Sequence, residues 1–152
     1  MRTLVAKEGL ADVIEVESAG TGTWHLGEKA DKRARATAEA RGVILDRRAQ
    51  QFSRTDFDRF DYVLTMDEDI AATLRKLSSS KADHEKVHVL RSFDPASPAG
   101  ARVPDPYYGG VDGFEEVFDI CEAACRGLLA HLRETHALPA SRSDPQPDAR
   151  RR

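Results

Sequence analysis

The residues best suited to chemistry are Asp105, Tyr107 and Tyr108, which lie within five residues of one another. Asp105 stands between Pro104 and Pro106. Proline has a fixed φ and biases the residue before it toward extended backbone, so the carboxylate is held in a defined direction. A rigid carboxylate beside aromatic rings suits a proton donor next to an aryl leaving group. An Asp-Pro turn with solvent-facing tyrosines is the alternative, and the pattern alone does not decide between them.

A glycine-rich loop, Ser18-Ala19-Gly20-Thr21-Gly22, is a second candidate site. Its backbone N–H groups could bind phosphate, because successive amides in such a loop form a concave anion site. The loop has neither the Walker nor the Rossmann glycine spacing, and no helix begins directly after it. Trp24 follows and is the only tryptophan. A loop tryptophan is either a docked core residue or part of a recognition surface, and both interpretations stay open.

The two cysteines, Cys121 and Cys125, are four residues apart on the apolar side of a predicted helix. This spacing favours buried structural thiols over a disulfide framework or a zinc site. Six residues after them stand Gly127 and His131, so neither cysteine is followed by arginine at that spacing. The five histidines show no ligand spacing, and we interpret Arg47-Arg48 as part of a solvated face.

The bulk composition excludes several classes of protein. A length of 152 residues suits one domain, and a net charge of −3 gives no nucleic-acid signature. No apolar run is long enough to cross a membrane, and no secretory signal is present. A cytoplasmic location is therefore the expectation.

Apolar patterning predicts strands that alternate with helices. Strands are predicted at 13–17, 62–66 and 87–90, and helices at 2–10, 31–41, 67–77 and from Asp112, with a short helical turn from Ser53. The first helix should end near Gly9 and bury Leu4, Val5 and Leu10, and Gly42 should end the second. Asp67 is expected to cap the third, and Asp112 with Glu115 to form a capping box for the last. Residues 78–85 are predicted as a turn and 91–110 as a long loop with four prolines. This order indicates an α/β fold with a small parallel sheet. We assign residues 1–134 to one domain and residues 135–152 to a disordered tail rich in Pro, Ser, Asp and Arg.

Several segments, taken in order, resemble the low-molecular-weight protein-tyrosine phosphatases. Asp105–Gly109 resembles the general-acid loop of that family, and the resemblance covers about residues 2–132. Gln50 is one departure, because the family often has arginine there. The segments that carry the resemblance are Glu17–Thr21, Trp24–Glu28, Arg48–Gln51, Phe60–Asp67, Val103–Gly109, Phe114–Phe118 and Cys125–Leu129.

The resemblance implies a three-layer helix–sheet–helix fold of the phosphotyrosine phosphatase I type. In that family a strand, a nucleophile loop of the form Cys, five residues, Arg, and the first turns of a helix precede the position of Met1. We therefore expect an N-terminally truncated domain that starts inside this helix and lacks the first, central strand. The sheet should then have a gap between residues 13–17 and 62–66.

The same resemblance implies a role for each candidate residue. Asp105 would be the general acid and base, Trp24, Tyr107 and Tyr108 would wall the substrate crevice, and Ser18 would support the nucleophile loop. The expected substrates are phosphotyrosine proteins or small aryl phosphates, with no cofactor, no metal and a monomeric enzyme. Because the nucleophilic cysteine and the phosphate-binding arginine are missing, the chain itself is expected to be inactive.

Three interpretations follow from this pattern. The chain is an ordinary phosphatase whose start codon was placed at an internal Met or whose N-terminus was removed. Alternatively it is a truncated, non-catalytic remnant that binds phosphoproteins or regulates. A thiol-dependent arsenate reductase on the same fold is the third. The two tyrosines argue against the third interpretation, because aromatic side chains that bind an aryl group contribute nothing to the binding of arsenate.

Overall fold

Helices alternate with two short strands in residues 1–140, which are the residues that the structure, a computed structural model, describes. None of these helices combines the length with the apolar character that a membrane crossing requires. In chain order the elements are α1 (Arg2–Lys7), α2 (Lys32–Ala40), α3 (Asp56–Arg59), β1 (Val63–Thr65), α4 (Glu68–Leu77), α5 (Lys81–Glu85), β2 (Val87–Val89), a 3-10 helix (Leu90–Phe93) and α6 (Val111–His136).

β1 and β2 pair in parallel, with Val63 opposite Val87 and Thr65 opposite Val89. β-Branched residues suit the pleated, half-buried surface of a strand. Parallel neighbours need a crossover between them, which α4 and α5 supply. The predicted parallel sheet and the predicted strands at 62–66 and 87–90 are therefore confirmed.

The sheet lies between two helical layers. Val63 and Val87 pack with Leu74 of α4 in one apolar cluster. Leu64 faces the other way, because successive strand residues point to opposite sides of a sheet. It packs against a second cluster that includes Leu128 of α6. The helix–sheet–helix layering is therefore confirmed.

The N-terminal helix packs on α6. Val5 and Leu10 are each 2% exposed and form a third apolar cluster with Leu129. Gly9 has φ +72°, a left-handed conformation that favours glycine and ends the helix. The predicted helix end and its buried residues Val5 and Leu10 are confirmed.

The predicted strand at residues 13–17 is wrong. Residues 14–19 have no regular secondary structure, and Val13 is 61% exposed. A strand requires a hydrogen-bonded neighbour, and no backbone hydrogen bond joins this segment to β1 within residues 1–140. A cleft of about 770 Å³ lies between them. A cleft, and not a gap between two strands, therefore separates residues 13–17 from β1, and the sheet of the described residues has two strands instead of three.

Two local predictions also need correction. Residues 78–85 are predicted as a turn, but the last five of them form the helix α5. Ser80 caps this helix, because its hydroxyl accepts a hydrogen bond from the Asp83 N–H at 3.0 Å. The last helix begins at Val111 with Gly110 as its N-cap residue and has no side-chain cap. A capping box starting at Asp112 is therefore not formed. The predicted Asp67 cap of α4 is confirmed, since its carboxylate accepts from the Ile70 N–H at 2.8 Å.

The boundary predicted for the C-terminal tail falls inside a helix. Thr135 and His136 are the last residues of α6, and Leu138 packs against the second apolar cluster. Residues 141–152 lie outside the described part of the chain, so a disordered tail there stays a prediction.

Candidate functional site

Asp105 lies in the long loop between the 3-10 helix and α6, which passes the carboxyl end of β1. Val103 is buried, and its N–H donates to the Met66 carbonyl oxygen at 2.8 Å, which anchors the loop beside the strand. Asp105 itself is exposed. Its Oδ1 accepts a hydrogen bond from the Tyr107 N–H at 2.9 Å, a local turn of the kind that short acidic side chains stabilise. This turn fixes the carboxylate relative to the tyrosine backbone and leaves its other oxygen open to solvent.

Arg33 of α2 connects that helix to the Asp105 loop. Its Nη2 donates to the Tyr107 carbonyl oxygen at 3.0 Å, and its Nη1 donates to the Gly109 carbonyl oxygen at 3.4 Å. The guanidinium also lies 4.6 Å from the centre of the Phe114 ring, a cation–π distance. One side chain therefore contacts two loop carbonyls and the start of α6.

Asp31 holds this guanidinium in place. Its two carboxylate oxygens accept from Arg33 Nε at 3.2 Å and from Arg33 Nη2 at 3.0 Å. Hydrogen bonds from the Arg33 side chain, followed by one from its backbone N–H, lower the pKa of Asp31. Asp31 is also the N-cap residue of α2, so the carboxylate caps the helix and orients the arginine.

The two tyrosines are exposed to different degrees. Tyr107 is 54% exposed and Tyr108 is 95% exposed. Their ring centres are 4.9 Å apart at an interplanar angle of 83°, an edge-to-face pair. Tyr107 is thus held by its neighbour and by Arg33, whereas Tyr108 presents nearly its whole side chain to solvent.

Trp24 is 83% exposed and lies over Gly22. A Cβ atom at Gly22 would come within 1.9 Å of the indole ring, so only glycine allows the ring this position. The exposed fraction decides between the two interpretations of Trp24, because a docked core residue would be covered. Trp24 is a surface residue.

Three of the five predicted site residues line one cleft of about 640 Å³. These are Ser18, Trp24 and Tyr107. Asp105 and Tyr108 do not line this cleft, although both adjoin Tyr107 in the same loop. The Ser18 carbonyl oxygen accepts from Gln50 Nε2 at 2.8 Å, and Ser18 also lines the cleft beside β1. The two clefts therefore meet at Ser18.

Arg47 and Arg48, for which the sequence indicates a solvated face, also line the cleft around Trp24. Arg48 donates to the Gly27 carbonyl oxygen at 2.8 Å, and Arg47 lies 3.5 Å from a carboxylate oxygen of Glu17. Arg33 was missed altogether. Its partners are 74 and 76 residues away in sequence, so no local pattern could reveal the contact. Aromatic faces beside guanidinium groups suit an aromatic ligand that carries a negative charge.

The cysteines lie away from the Asp105 loop on α6. Both are free thiols and partly buried. Burial, and to a smaller extent Cys125, raises the pKa of Cys121. A raised pKa disfavours the thiolate, which is the nucleophilic form of cysteine. Cys121 thus has the properties of a packing residue, as the sequence predicted.

Comparison with known proteins gives one consistent family. Residues 1–138 match the model of the low molecular weight phosphotyrosine protein phosphatases. A low molecular weight protein-tyrosine-phosphatase of Streptomyces coelicolor is 48% identical over 134 residues, which are 88% of this chain and 82% of the relative. A low molecular weight phosphotyrosine protein phosphatase of Rattus norvegicus is 35% identical over 89% of this chain and 83% of its own length.

Comparison with solved structures gives the same family. The crystal structure of YfkJ from Bacillus subtilis superposes with a TM-score of 0.80 at 33% identity, over 88% of this chain and 82% of that one. A protein tyrosine phosphatase from Entamoeba histolytica, crystallised with Hepes in its active site, gives a TM-score of 0.83 at 32% identity. That match covers 89% of this chain and 85% of the other.

Proposed function

Since the chain belongs to the low molecular weight phosphotyrosine protein phosphatase family, we propose that its site serves the hydrolysis of aryl phosphates and phosphotyrosine proteins, with Asp105 as the general acid. The observation that carries the proposal is the Asp105 loop, which Arg33 connects to α2 and whose Tyr107 shares a cleft with Trp24. Relatives named as tyrosine phosphatases support the substrate class.

Asp105 would act twice in such a reaction. It first gives its proton to the phenolate oxygen that leaves phosphorus, and then takes a proton from the water that attacks the phosphoenzyme. Its exposed position, with one oxygen bonded to the Tyr107 N–H, leaves the other oxygen available for this transfer. The rings of Trp24 and Tyr107 would bind the aryl group, with Tyr108 at the outer edge.

The 152 residues do not contain the nucleophile that this reaction needs. Residues six positions after Cys121 and Cys125 are Gly127 and His131, so the arrangement Cys, five residues, Arg does not occur. We infer that these 152 residues on their own do not turn over aryl phosphates. A general acid contributes about 10²–10⁴-fold to a rate, far less than an enzyme's whole enhancement. The predicted support of a nucleophile loop by Ser18 stays a prediction.

Binding without turnover is the second candidate function. The cleft with Trp24 also contains Arg47 and Arg48, whose guanidinium groups suit a phosphate group. Arsenate reduction is not favoured, because exposed aromatic residues add nothing to the binding of arsenate.

Two measurements on the 152-residue chain test both candidates. We expect no hydrolysis of para-nitrophenyl phosphate above the background of a Cys125→Ser variant. Turnover that persists in Asp105→Asn but disappears in Cys125→Ser would overturn the assignment of the chemistry. Fluorescence of Trp24, the only tryptophan, reports binding of a phosphotyrosine peptide. Saturable quenching that is lost in Arg48→Gln would favour the binding function.

A further inference from the structure

The cleft of about 640 Å³ is lined in part by a short antiparallel ribbon. The Gly27 N–H donates to the Ala49 carbonyl oxygen at 2.8 Å, and the Ala49 N–H donates to the Glu28 carbonyl oxygen at 2.8 Å. In the next position along the ribbon, Lys29 lies opposite Arg48 in an antiparallel bridge. Both of these residues line the cleft. The ribbon therefore places two cations side by side at the cleft.

Lys29 and Arg48 are like charges that face each other across the ribbon. Their backbones do not hydrogen-bond directly to each other. Opposite residues of this type have Cα atoms about 4.5 Å apart and side chains that lie close together. Like charges directly opposite each other are destabilising. An anion bound between the two side chains would remove this repulsion.

Arg48 is held so that one edge of its guanidinium group stays available. Its Nη1 donates to the Gly27 carbonyl oxygen at 2.8 Å, which fixes the group against the ribbon. Its Nε and Nη2 have no hydrogen-bond partner within residues 1–140. Two adjacent N–H groups of a guanidinium match the two oxygens of a carboxylate. Arg48 can therefore bind a carboxylate and keep its bond to the ribbon.

The other charged side chains that line this cleft are already paired. The pairs are Glu28 with His25 at 2.8 Å, Asp31 with Arg33 at 3.0 Å and Arg47 with Glu17 at 3.5 Å. Lys29 and Arg48 have no ion pair in the part of the chain that the structure describes. The positive charge that remains to attract a negative ligand thus lies at these two residues.

The same cleft contains the rings of Trp24 and Tyr107. We propose that Lys29 and Arg48 form a specificity subsite, which binds acidic side chains next to the phosphotyrosine of a protein substrate while the two aromatic residues contact its ring. The proposal rests on the proposed function for the substrate class and adds a preference among substrates. Residues of an extended peptide advance by about 3.3 Å each, so carboxylates one or two residues from the phosphotyrosine stay within the reach of the subsite.

The test uses four peptides. Two acidic peptides have the sequence Gly-Asp-Asp-Tyr-Asp-Asp-Gly, one with and one without a phosphate group on the tyrosine. Two neutral peptides have asparagine in place of each aspartate, which keeps the size of the side chain and removes its charge. Quenching of the fluorescence of Trp24, the only tryptophan, measures the affinity of each peptide for the 152-residue chain at low and at high salt.

We expect the acidic phosphopeptide to bind about tenfold more tightly than the neutral one at low salt and about twofold at high salt, because exposed ion pairs are weak and are screened by salt. Lys29→Gln and Arg48→Gln should each reduce this preference to about threefold, and the double variant should abolish it. Lys32→Gln is the matched control, because Lys32 is exposed and does not line the cleft. It should keep the full preference.

A charge reversal separates an electrostatic role from a structural one. The double variant Lys29→Glu with Arg48→Glu should prefer a phosphopeptide with lysine at all four flanking positions over the acidic one. Damage to the cleft would weaken the binding of both peptides and would not reverse their order.

Equal affinity for the acidic and neutral peptides, or a preference that survives in the double Gln variant, would overturn the subsite, as would the absence of binding by every peptide. The phosphate group tests the proposed function separately. If phosphorylation leaves the affinity unchanged while the preference for aspartate depends on Lys29 and Arg48, the proposed function fails and the subsite stands. If phosphorylation strengthens binding equally with either flanking sequence and no preference for aspartate is found, the subsite fails and the proposed function stands.

Discussion

Arg33 donates a hydrogen bond from Nη2 to the Tyr107 carbonyl oxygen at 3.0 Å and so joins α2 to the loop that carries Asp105. The two residues are 74 positions apart, and the same guanidinium lies 5.7 Å from the centre of the Tyr107 ring. This contact gives the candidate acid a defined position, because Asp105 is in turn bonded to the Tyr107 N–H.

Replacement of Arg33 should loosen the Asp105 loop. In Arg33→Gln the donors to the Tyr107 and Gly109 carbonyls are lost. A net contribution of about 1 kcal/mol per hydrogen bond corresponds to an increase of about fivefold in the locally open population for one bond and about thirtyfold for both. Amide exchange at 107–110 measures this. Arg33→Lys should be intermediate, because an ammonium group cannot reproduce the fork of a guanidinium. Lys32→Gln on the same helix is the control, and equal exchange in all variants would show that Arg33 does not hold the loop.

Asp31, which is paired with Arg33, should stay ionised at a lower pH than an ordinary aspartate. The pKa of Asp31 is lowered in the folded protein, so its contribution to stability is present above the ordinary value of about 3.9 and is lost as the pH falls through the folded pKa. The carboxyl carbon shift of Asp31, followed by NMR during acid titration, measures this pKa. In Arg33→Gln the pKa should rise toward the ordinary value, and an unchanged titration would contradict the assigned cause.

His88 should make the protein sensitive to mild acid. Its pKa is lowered by burial and then by His131 and Arg75. The unfolded chain therefore binds a proton below about pH 6.5 while folded His88 does not, and the free energy of unfolding falls until the pH reaches the folded pKa. Urea unfolding at pH 7.5 and pH 5.5 measures the loss.

His88→Gln should reduce that loss, whereas His84→Gln, at an exposed position of α5, should not. His88 packs 5.9 Å from the Tyr62 ring and 5.6 Å from the Phe93 ring, centre to centre, so the variant is also expected to lower stability at both pH values. The pH dependence, rather than the absolute stability, is the result that decides. An identical pH dependence in His88→Gln would remove His88 from this role.

Gly127 allows α6 to approach the 3-10 helix. A Cβ at this position would lie 1.9 Å from the Phe93 carbonyl oxygen, a backbone atom. Gly127→Ala should destabilise the protein by about 1–3 kcal/mol, since the cost of forcing the backbone apart exceeds the gain of about 1 kcal/mol in helix propensity. Gly113→Ala in the same helix is the control, because its Cβ would meet only Pro106, at 3.4 Å from Cβ and 3.8 Å from Cα. Equal unfolding free energies of the two variants would contradict the steric argument.

Local signals predicted the elements that depend on local chemistry. Asp67 as a cap, Gly42 after α2 and the apolar runs of β1 and β2 all act within a few residues, and all were confirmed. Residues 13–17 have the composition of a strand but no neighbour to bond, and a strand is defined by its neighbour. Sequence alone cannot provide that information.

The candidate site likewise contains some residues that the sequence predicted and others that it did not reveal. Asp105 and Tyr107 were predicted from the chemistry of their motif and Trp24 from the resemblance to the family, and the structure brings Tyr107 and Trp24 to one cleft. Arg33 was not found, because its role depends on contacts across 74 and 76 residues. Arg47 and Arg48 were visible as a basic pair, but only the folding of loop 18–30 against them shows that they line the cleft.

The most direct test of the account compares leaving groups in a chimera that carries the family's loop Cys, five residues, Arg and its strand ahead of Met1. The 152-residue chain should show no turnover and the chimera should. In the chimera, Asp105→Ala should lower kcat about 10²-fold or more for phenyl phosphate and much less for para-nitrophenyl phosphate, since an activated phenolate leaves without protonation. Equal losses for both substrates would contradict the role proposed for Asp105, and turnover by the 152-residue chain itself would contradict its predicted inactivity.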